Sequence, residues 1–214
     1  MKPFKTVEGL AVPLEMANVN TDQILPARYI KKPRGPGYAP FCFHDLRFAD
    51  DGTPKPGFPL NDPRYQGAEV LVADANFGCG SSREGAVYAL QDYGFKVLIA
   101  SSFGDIFAAN CLKNGLLALR LPAETAAHLR AALAQAETPR VTVDLAAQKV
   151  TGPDGETIDF EIDAFEKECL LEGLDEIDLS LRREAEIAAF EEAYRARRPW
   201  LFRAPAESKE GAGA

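Results

Sequence analysis

Between Glu69 and Leu119, short apolar runs alternate with amphipathic stretches, and this alternation constrains the fold more than any other feature of the sequence. Three strands are predicted, at Val70–Ala73, Lys96–Ala100 and Leu116–Leu119. Two helices are predicted between them, at Arg83–Tyr93 and Asp105–Lys113. Two consecutive strand–helix–strand units imply right-handed crossovers and a partly parallel sheet. We therefore expect an α/β fold.

The chain after this region continues with shorter elements. A helix is predicted at Pro122–Glu137, and a second begins at Asp163, where Glu166 three residues later resembles a capping box, and runs to Gly173. The alternating runs between the two helices predict a meander of three short strands: Val141–Leu145, Gln148–Thr151 and Thr157–Ile162. A charged final helix is expected over about 181–198.

The segment 31–66 is rich in proline and glycine and is predicted to be a long loop. Its frequent aromatic residues favour a packed loop over a disordered one. We expect one domain over residues 1–203 and a flexible tail at 204–214, where small and polar residues dominate.

Composition and charge exclude several classes of protein. The 214 residues are 46% hydrophobic and 26% charged, which is typical of globular domains. No apolar run approaches the roughly 18 residues of a membrane span and the N-terminus does not resemble a signal peptide, so we expect a soluble cytoplasmic protein. A net charge of -8 argues against nucleic acid as a partner. Residues 1–40 nevertheless carry six Lys/Arg and three Asp/Glu, and this local excess of positive charge suits the binding of a small anion.

The four cysteines are far apart in the sequence, with no CxxC pair, and they are expected to be free thiols. The two histidines, His44 and His128, fall in a loop and on a predicted helix. Two histidines in these positions give little support to a zinc site or a Ser-His-Asp triad, and no metal ligands are predicted.

The densest special segment, Asn76–Gly85, lies where a predicted strand gives way to a helix. Gly78 and Gly80 allow close approach of a ligand, and the free amides of the helix start together with Arg83 would hold a carboxylate or phosphate. On these residues alone, the glycines could equally turn the chain while Ser81 caps the helix and Arg83 pairs with its neighbour in solvent. A dinucleotide fingerprint fails because arginine replaces the third glycine, and a P-loop fails because no Gly-Lys-Ser/Thr follows.

A second polar segment, Asn18–Pro26, precedes a basic stretch that includes Arg28 and Arg34. Taken alone, the polar segment could be a structural Asx or ST turn, and the basic stretch could coat a surface. The two special segments together, however, resemble one family: Phe77–Glu84 reads FGCGSSRE and Asn20–Asp22 reads NTD. Further matches extend the resemblance from about Thr6 to Leu201.

The chain resembles the small subunits of 3-isopropylmalate dehydratase, a family similar to the swivelling domain of aconitase. The resemblance implies a swivelling β/β/α domain with a partly parallel mixed sheet, like the aconitase C-terminal domain. It implies a hydro-lyase subunit that isomerises 2-isopropylmalate and 3-isopropylmalate through 2-isopropylmaleate, in leucine biosynthesis. By position, Ser81 would be the catalytic base, and Arg83 would stabilise its alkoxide and hold a substrate carboxylate. Five further substrate-binding positions are implied: Thr21, Asp22, Arg34, Gly80 and Ser82.

The resemblance also implies what the chain requires from outside. The 4Fe–4S cluster that activates the leaving hydroxyl would belong to a separate large subunit, since this chain lacks cysteines in cluster-like spacing and would bind no cofactor itself. The active enzyme would be a heterodimer or a higher assembly acting on a small dicarboxylate. Gly85, where familiar members have histidine, and the loop 31–37 depart from the family pattern. They leave citramalate, homoaconitate or a similar hydroxy-dicarboxylate as alternative substrates, and a non-catalytic anion-binding module as a remote alternative.

Overall fold

The computed structural model describes residues 1–35, 37–81 and 83–202. They fall into two compact units, residues 1–175 and the residues from Glu176 onward. The single domain expected over 1–203 stays a prediction. The expected tail at 204–214 lies outside the described residues. No helix in the described part of the chain is long and apolar enough to cross a membrane.

A seven-stranded mixed sheet forms the first unit's framework, in the order β4-β3-β2-β1-β5-β6-β7. Its strands are β1 (Thr6–Pro13), β2 (Val70–Val72), β3 (Val97–Ala100), β4 (Leu117–Arg120), β5 (Arg140–Asp144), β6 (Lys149–Thr151) and β7 (Thr157–Asp159). Strands β1 to β4 pair in parallel, whereas β1, β5, β6 and β7 pair in antiparallel fashion. The predicted α/β class with a partly parallel sheet is confirmed.

Eight helices are present in the described residues: α1 (Thr21–Ile24), α2 (His44–Arg47), α3 (Glu84–Tyr93), α4 (Asp105–Lys113), α5 (Ala123–Gln135), α6 (Ala164–Glu172), α7 (Glu176–Leu181) and α8 (Glu184–Arg197). Local sequence explains several of their ends. Helix α3 stops at Gly94, whose φ of 127° favours glycine. Helix α6 starts at Asp163, whose carboxylate accepts hydrogen bonds from the N–H groups of Phe165 and Glu166.

The core has two halves, one on each face of the sheet. Alternate side chains of a strand point to opposite faces, and β3 illustrates this. Val97 and Ile99 pack in one cluster with residues of α5, whereas Leu98 and Ala100 pack in the other with residues of α3 and α4. Because helices cover both faces of the sheet, all side chains of β2 and β3 are buried. These strands are therefore continuous apolar runs in the sequence, and such runs can be predicted.

The central strand β1 was not predicted from the sequence. Gly9 and Pro13 interrupt its apolar alternation, and its pairing comes from distant partners: Ala11 lies opposite Val70, and Gly9 lies opposite Val141. The described residues of the segment 31–66 form short helical turns and one isolated bridge, between Phe48 and Pro54. Buried aromatic side chains anchor this segment to the core: Tyr38, Phe43 and Tyr65.

Candidate active site

Three connections lie at one edge of the sheet. Strands β1, β2 and β3 are parallel, so their carboxyl ends face the same way, and ligands in open α/β sheets bind at such edges. The connections after these strands contact one another in parallel bridges, Asn20 with Cys79 and Phe77 with Phe103. The edge therefore brings the two segments singled out in the sequence into contact.

Hydrogen bonds join these two segments directly. The backbone N–H of Gly78 donates to the carbonyl of Val19 at 2.7 Å, and that of Thr21 donates to the carbonyl of Cys79 at 3.0 Å. The hydroxyl of Thr21 donates to the carbonyl of Ser81 at 2.6 Å, and the Thr21 side chain is fully buried. Thr21, implied to bind substrate, is thus placed beneath the turn that carries Ser81.

The local fold of the Asn20 segment follows from its sequence. The Asn20 side chain accepts from the N–H of Gln23, and the Gln23 side chain accepts from the N–H of Asn20, each at 2.8 Å. This reciprocal capping box starts α1 with only four helical residues. The pattern Asn-Thr-Asp-Gln therefore combines a structural cap with the presentation of Asp22.

Two glycines shape the turn for different reasons. Gly78 has a φ of 73°, and a Cβ there would lie 2.2 Å from the ring of Phe107, so this position packs tightly against α4. Gly80 also needs a left-handed backbone, with a φ of 87°, but a Cβ there would meet only the Cβ of Asn20, at 3.4 Å. Gly80 is exposed, which leaves its backbone accessible to a ligand.

Ser81 and Arg83 are two residues apart in the segment that leads from this turn into α3. Arg83 is the N-cap residue of α3 and forms an ion pair with Asp22. The alternative of a capping Ser81 and an Arg83–Glu84 pair is therefore not what the structure shows. Ser81 is exposed, and its hydroxyl makes no hydrogen bond to any described residue. An accessible serine thus precedes the start of α3, where helix-start amides lack intrahelical partners, by three residues. Ser82, the other implied serine, lies outside the described residues.

Arg34 does not join this group. Its guanidinium forms a bidentate pair with the carboxylate of Asp92, at 2.9 and 3.1 Å, and lies 4.3 Å from the ring centroid of Tyr88. Asp92 is near the C-terminal end of α3, about 12 Å along the helix axis from its start. A cleft of about 750 Å³ beside Arg34 and Asp92 is lined by residues 1–7 and by residues that follow α3 and α4, and it includes neither Ser81 nor Arg83.

The cysteines of the described residues do not form a cluster site. Cys42, Cys111 and Cys169 are buried, and Cys79 is half-buried. Burial raises the pKa of the Cys42 and Cys111 thiols well above its ordinary value, which opposes the thiolate form that iron requires. The one group of three candidate metal ligands in the described residues is exposed and contains no cysteine: His128, Asp154 and Glu156.

The sequence did not single out the role of Asn18 and Asn76. Both have left-handed backbones, with φ of 56° and 58°, and the Asn76 amide donates to the Asn18 side-chain oxygen at 2.8 Å. The N–H of Asn76 donates to the hydroxyl of Ser102, also at 2.8 Å, which ties the third connection to the other two. The sequence did contain a signal for this network, because polar residues occur in each connection that follows these three parallel strands: Asn18, Asn76 and Ser102.

Comparison with known proteins adds independent information at this point. A family model described as the aconitase C-terminal domain matches residues 1–124, and one described as LeuD_N matches 127–164. A third model, which describes the C-terminal domain of the small subunit of 3-isopropylmalate dehydratase, matches 176–204.

Curated relatives cover almost the whole chain. A 3-isopropylmalate dehydratase small subunit from Paramagnetospirillum magneticum is 49% identical over 201 residues, which is 94% of this chain and 100% of that protein. The chain belongs to the 3-isopropylmalate dehydratase small-subunit family. Another member, from Dechloromonas aromatica, is 50% identical over 214 residues, covering 94% of this chain and 100% of that protein.

A solved structure of the family supports the fold. The crystal structure of 3-isopropylmalate dehydratase from Methanocaldococcus jannaschii superimposes with a TM-score of 0.63 at 27% identity. The match covers 86% of this chain and 98% of that one. The fold expected from the resemblance, a domain of the aconitase C-terminal type, is therefore confirmed.

Proposed function

We propose that this chain is the small subunit of a hydro-lyase that interconverts 2-isopropylmalate and 3-isopropylmalate through 2-isopropylmaleate, in leucine biosynthesis. The observation that carries the proposal is the accessible Ser81, two residues before Arg83, on a turn that Thr21 holds by a hydrogen bond and Asp22 by an ion pair. Two relatives with 49% and 50% sequence identity, both named as small subunits of 3-isopropylmalate dehydratase, support the proposal. The cytoplasmic location expected from the sequence is part of the proposal.

Ser81 is the base in this scheme. As an alkoxide it takes the proton from the substrate carbon next to a carboxylate, while the C–O bond on the adjacent carbon breaks and the hydroxyl leaves as hydroxide. In the return direction hydroxide adds at the other carbon and Ser81 gives its proton back, so the alkoxide is restored and the net change is the position of the hydroxyl. Amides at the start of α3 and the cation of Arg83 stabilise the alkoxide.

Arg83 also binds a substrate carboxylate. Its planar guanidinium is oriented by the ion pair with Asp22. It can donate two parallel hydrogen bonds to the substrate carboxylate, which a lysine could not do. Gly80, three residues earlier, leaves the backbone of the turn open to a ligand. The substrate carboxylate and the developing alkoxide are therefore bound by neighbouring groups of one short segment.

A second chain completes the site in this proposal. The cysteines of the described residues do not fit an iron–sulfur cluster, so the cluster belongs to the large subunit that the relatives' names imply. When bound there, a 4Fe–4S cluster supplies the Lewis acid that activates the leaving hydroxyl.

The test is reconstitution. The purified chain should be colourless and inactive alone, and adding the matching large subunit without oxygen should create isopropylmalate dehydratase activity. Citramalate serves as the competing substrate: a preference for it would keep the reaction type and overturn the substrate. An iron–sulfur absorption band in this chain alone would refute the division of roles between the two proteins.

A further inference from the structure

Exposed hydrophobic side chains are concentrated at the C-terminal end of the described residues. Ten large hydrophobic side chains are exposed in the part of the chain that the structure describes, and seven of them lie at positions 176–202. Single exposed apolar residues are ordinary on protein surfaces, but a contiguous group of them marks an interaction site.

Five of these seven side chains, together with Tyr194, fall between positions 187 and 202, and ring contacts link part of this group. Ile187, Phe190 and Tyr194 lie on one face of α8 at spacings of three and four residues. The rings of Phe190 and Tyr194 stack with centroids 5.7 Å apart, and Tyr194 meets Phe202 edge-on at 6.0 Å. Trp200 and Leu201 belong to the same short turn as Phe202. We name this group the C-terminal apolar surface: Ile187, Phe190, Tyr194, Trp200, Leu201 and Phe202.

The unit that carries this surface has no core of its own. None of the residues 176–202 is buried, and a segment this short cannot bury enough apolar area to be stable alone. Phe190 and Trp200 are each 61% exposed. The aromatic rings are nevertheless held together, which lowers the entropy cost of binding a partner.

Arginines border the aromatic rings. The guanidinium of Arg195 lies 5.2 Å from the ring centroid of Phe202, and that of Arg198 lies 5.5 Å from that of Tyr194. Aromatic residues and arginine are the types most enriched where binding energy concentrates in protein interfaces. Arg195 is also paired with Glu191 on the same helix, at 3.5 Å, so the complementary surface is chiefly an apolar groove.

The exposed area is a large fraction of what a specific contact needs. Leaving Tyr194 out, the exposed side-chain surface of the group amounts to about 500 Å², more than half of the roughly 800 Å² that each partner contributes to an interface of standard size. Such a surface would supply a large part of a stable interface.

The family models indicate which partner fits. Residues 1–124 match a model whose name describes one domain of a longer protein, whereas 176–204 match a model named for the small subunit itself. A domain joined covalently to its enzyme needs no separate docking surface, but a separate subunit does. We infer that the C-terminal apolar surface binds the large subunit of the enzyme, an inference that rests on the proposed function.

The experiment compares full-length variants in binding to the purified large subunit. Phe190→Ala combined with Trp200→Ala removes the two most exposed rings without removing a buried contact. Phe165→Ala is the matched control, because Phe165 is 54% exposed on α6 and lies outside the surface. The dissociation constant of the pair should rise at least tenfold for the double variant and stay within twofold for the control.

Three further readouts separate the alternatives. The melting temperature of the isolated chain should not change, since a fall would mean that the surface packs on its own chain. The isolated wild-type chain should be monomeric, since a dimer lost in the double variant would assign the surface to a second copy. Saturating large subunit should restore full turnover. A wild-type dissociation constant in the double variant overturns the inference even if the enzyme is active, whereas surface-dependent binding without isopropylmalate turnover overturns only the proposed function.

Discussion

The hydroxyl of Thr21 donates a 2.6 Å hydrogen bond to the backbone carbonyl of Ser81, sixty positions away in the sequence. Thr21 is fully buried whereas Ser81 is exposed, so this bond ties the accessible turn to the protein interior. The proposed base is therefore positioned by the N-terminal segment of the chain, through a residue that the resemblance alone assigns to substrate binding.

Replacing Thr21 tests this positioning role. Thr21→Val keeps the shape but leaves the Ser81 carbonyl without its donor, at a cost of about 1–3 kcal/mol. We expect kcat of the assembled enzyme to fall about tenfold or more, with KM nearly unchanged. Thr21→Ser, which keeps the hydroxyl, should retain most of the turnover. A large rise in KM with unchanged kcat would instead assign Thr21 to substrate binding.

Replacing Arg83 tests carboxylate binding. Arg83→Lys keeps the charge but loses the paired donors, so kcat/KM should fall by about 1.5–3 kcal/mol, or roughly ten- to a hundredfold. Arg64→Lys is the matched control, because Arg64 forms a comparable ion pair with Asp62 away from the site. Steady-state kinetics of both variants check the prediction. Equal, small effects would indicate that the Arg83–Asp22 pair is structural only.

The position of Arg34 leads to a separate prediction. If Arg34 binds the distal carboxylate, as the resemblance implies, it must leave Asp92 when substrate binds. Arg34→Ala should then lose roughly ten- to a hundredfold in efficiency with both isopropylmalate and citramalate. Asp92→Asn, which weakens the competing pair, should lower KM. Unchanged efficiency in Arg34→Ala would leave the basic stretch as a solvated surface.

The sequence predicted the parts of the fold that depend on local pattern. The buried runs of β2 and β3 and the helices α3 and α4 that follow them can be recognised from Val70 to Lys113 alone. Strand β1 could not be, because its register depends on partners such as Val141 that are far away in the sequence. Long-range contacts also limited the prediction of the site. The roles of its residues were assigned by resemblance, and the pairing of Arg34 with Asp92, 58 residues apart, could not be predicted from local pattern.

Two buried thiols give the stability a pH dependence. Burial raises the pKa of Cys42 and Cys111, so the unfolded chain loses these protons first, above its own thiol pKa of about 8.5. The contribution of the two thiols to the free energy of unfolding is complete below that pH. It declines as the pH rises, by up to about 1.4 kcal/mol per thiol per pH unit. The free energy of unfolding of wild type minus that of the Cys42→Ala, Cys111→Ala variant should therefore fall between pH 8 and 10. A constant difference over that range would contradict the burial of these thiols.

The most direct measurement is the turnover of the assembled enzyme carrying Ser81→Ala. Because the substitution removes the proposed base and leaves the Ser81 carbonyl in place, kcat should fall by about 10²–10⁴. KM should change little, and binding to the large subunit should be unaffected. Near-normal turnover in Ser81→Ala, with a large loss in Ser82→Ala, would contradict the assignment of Ser81 as the base.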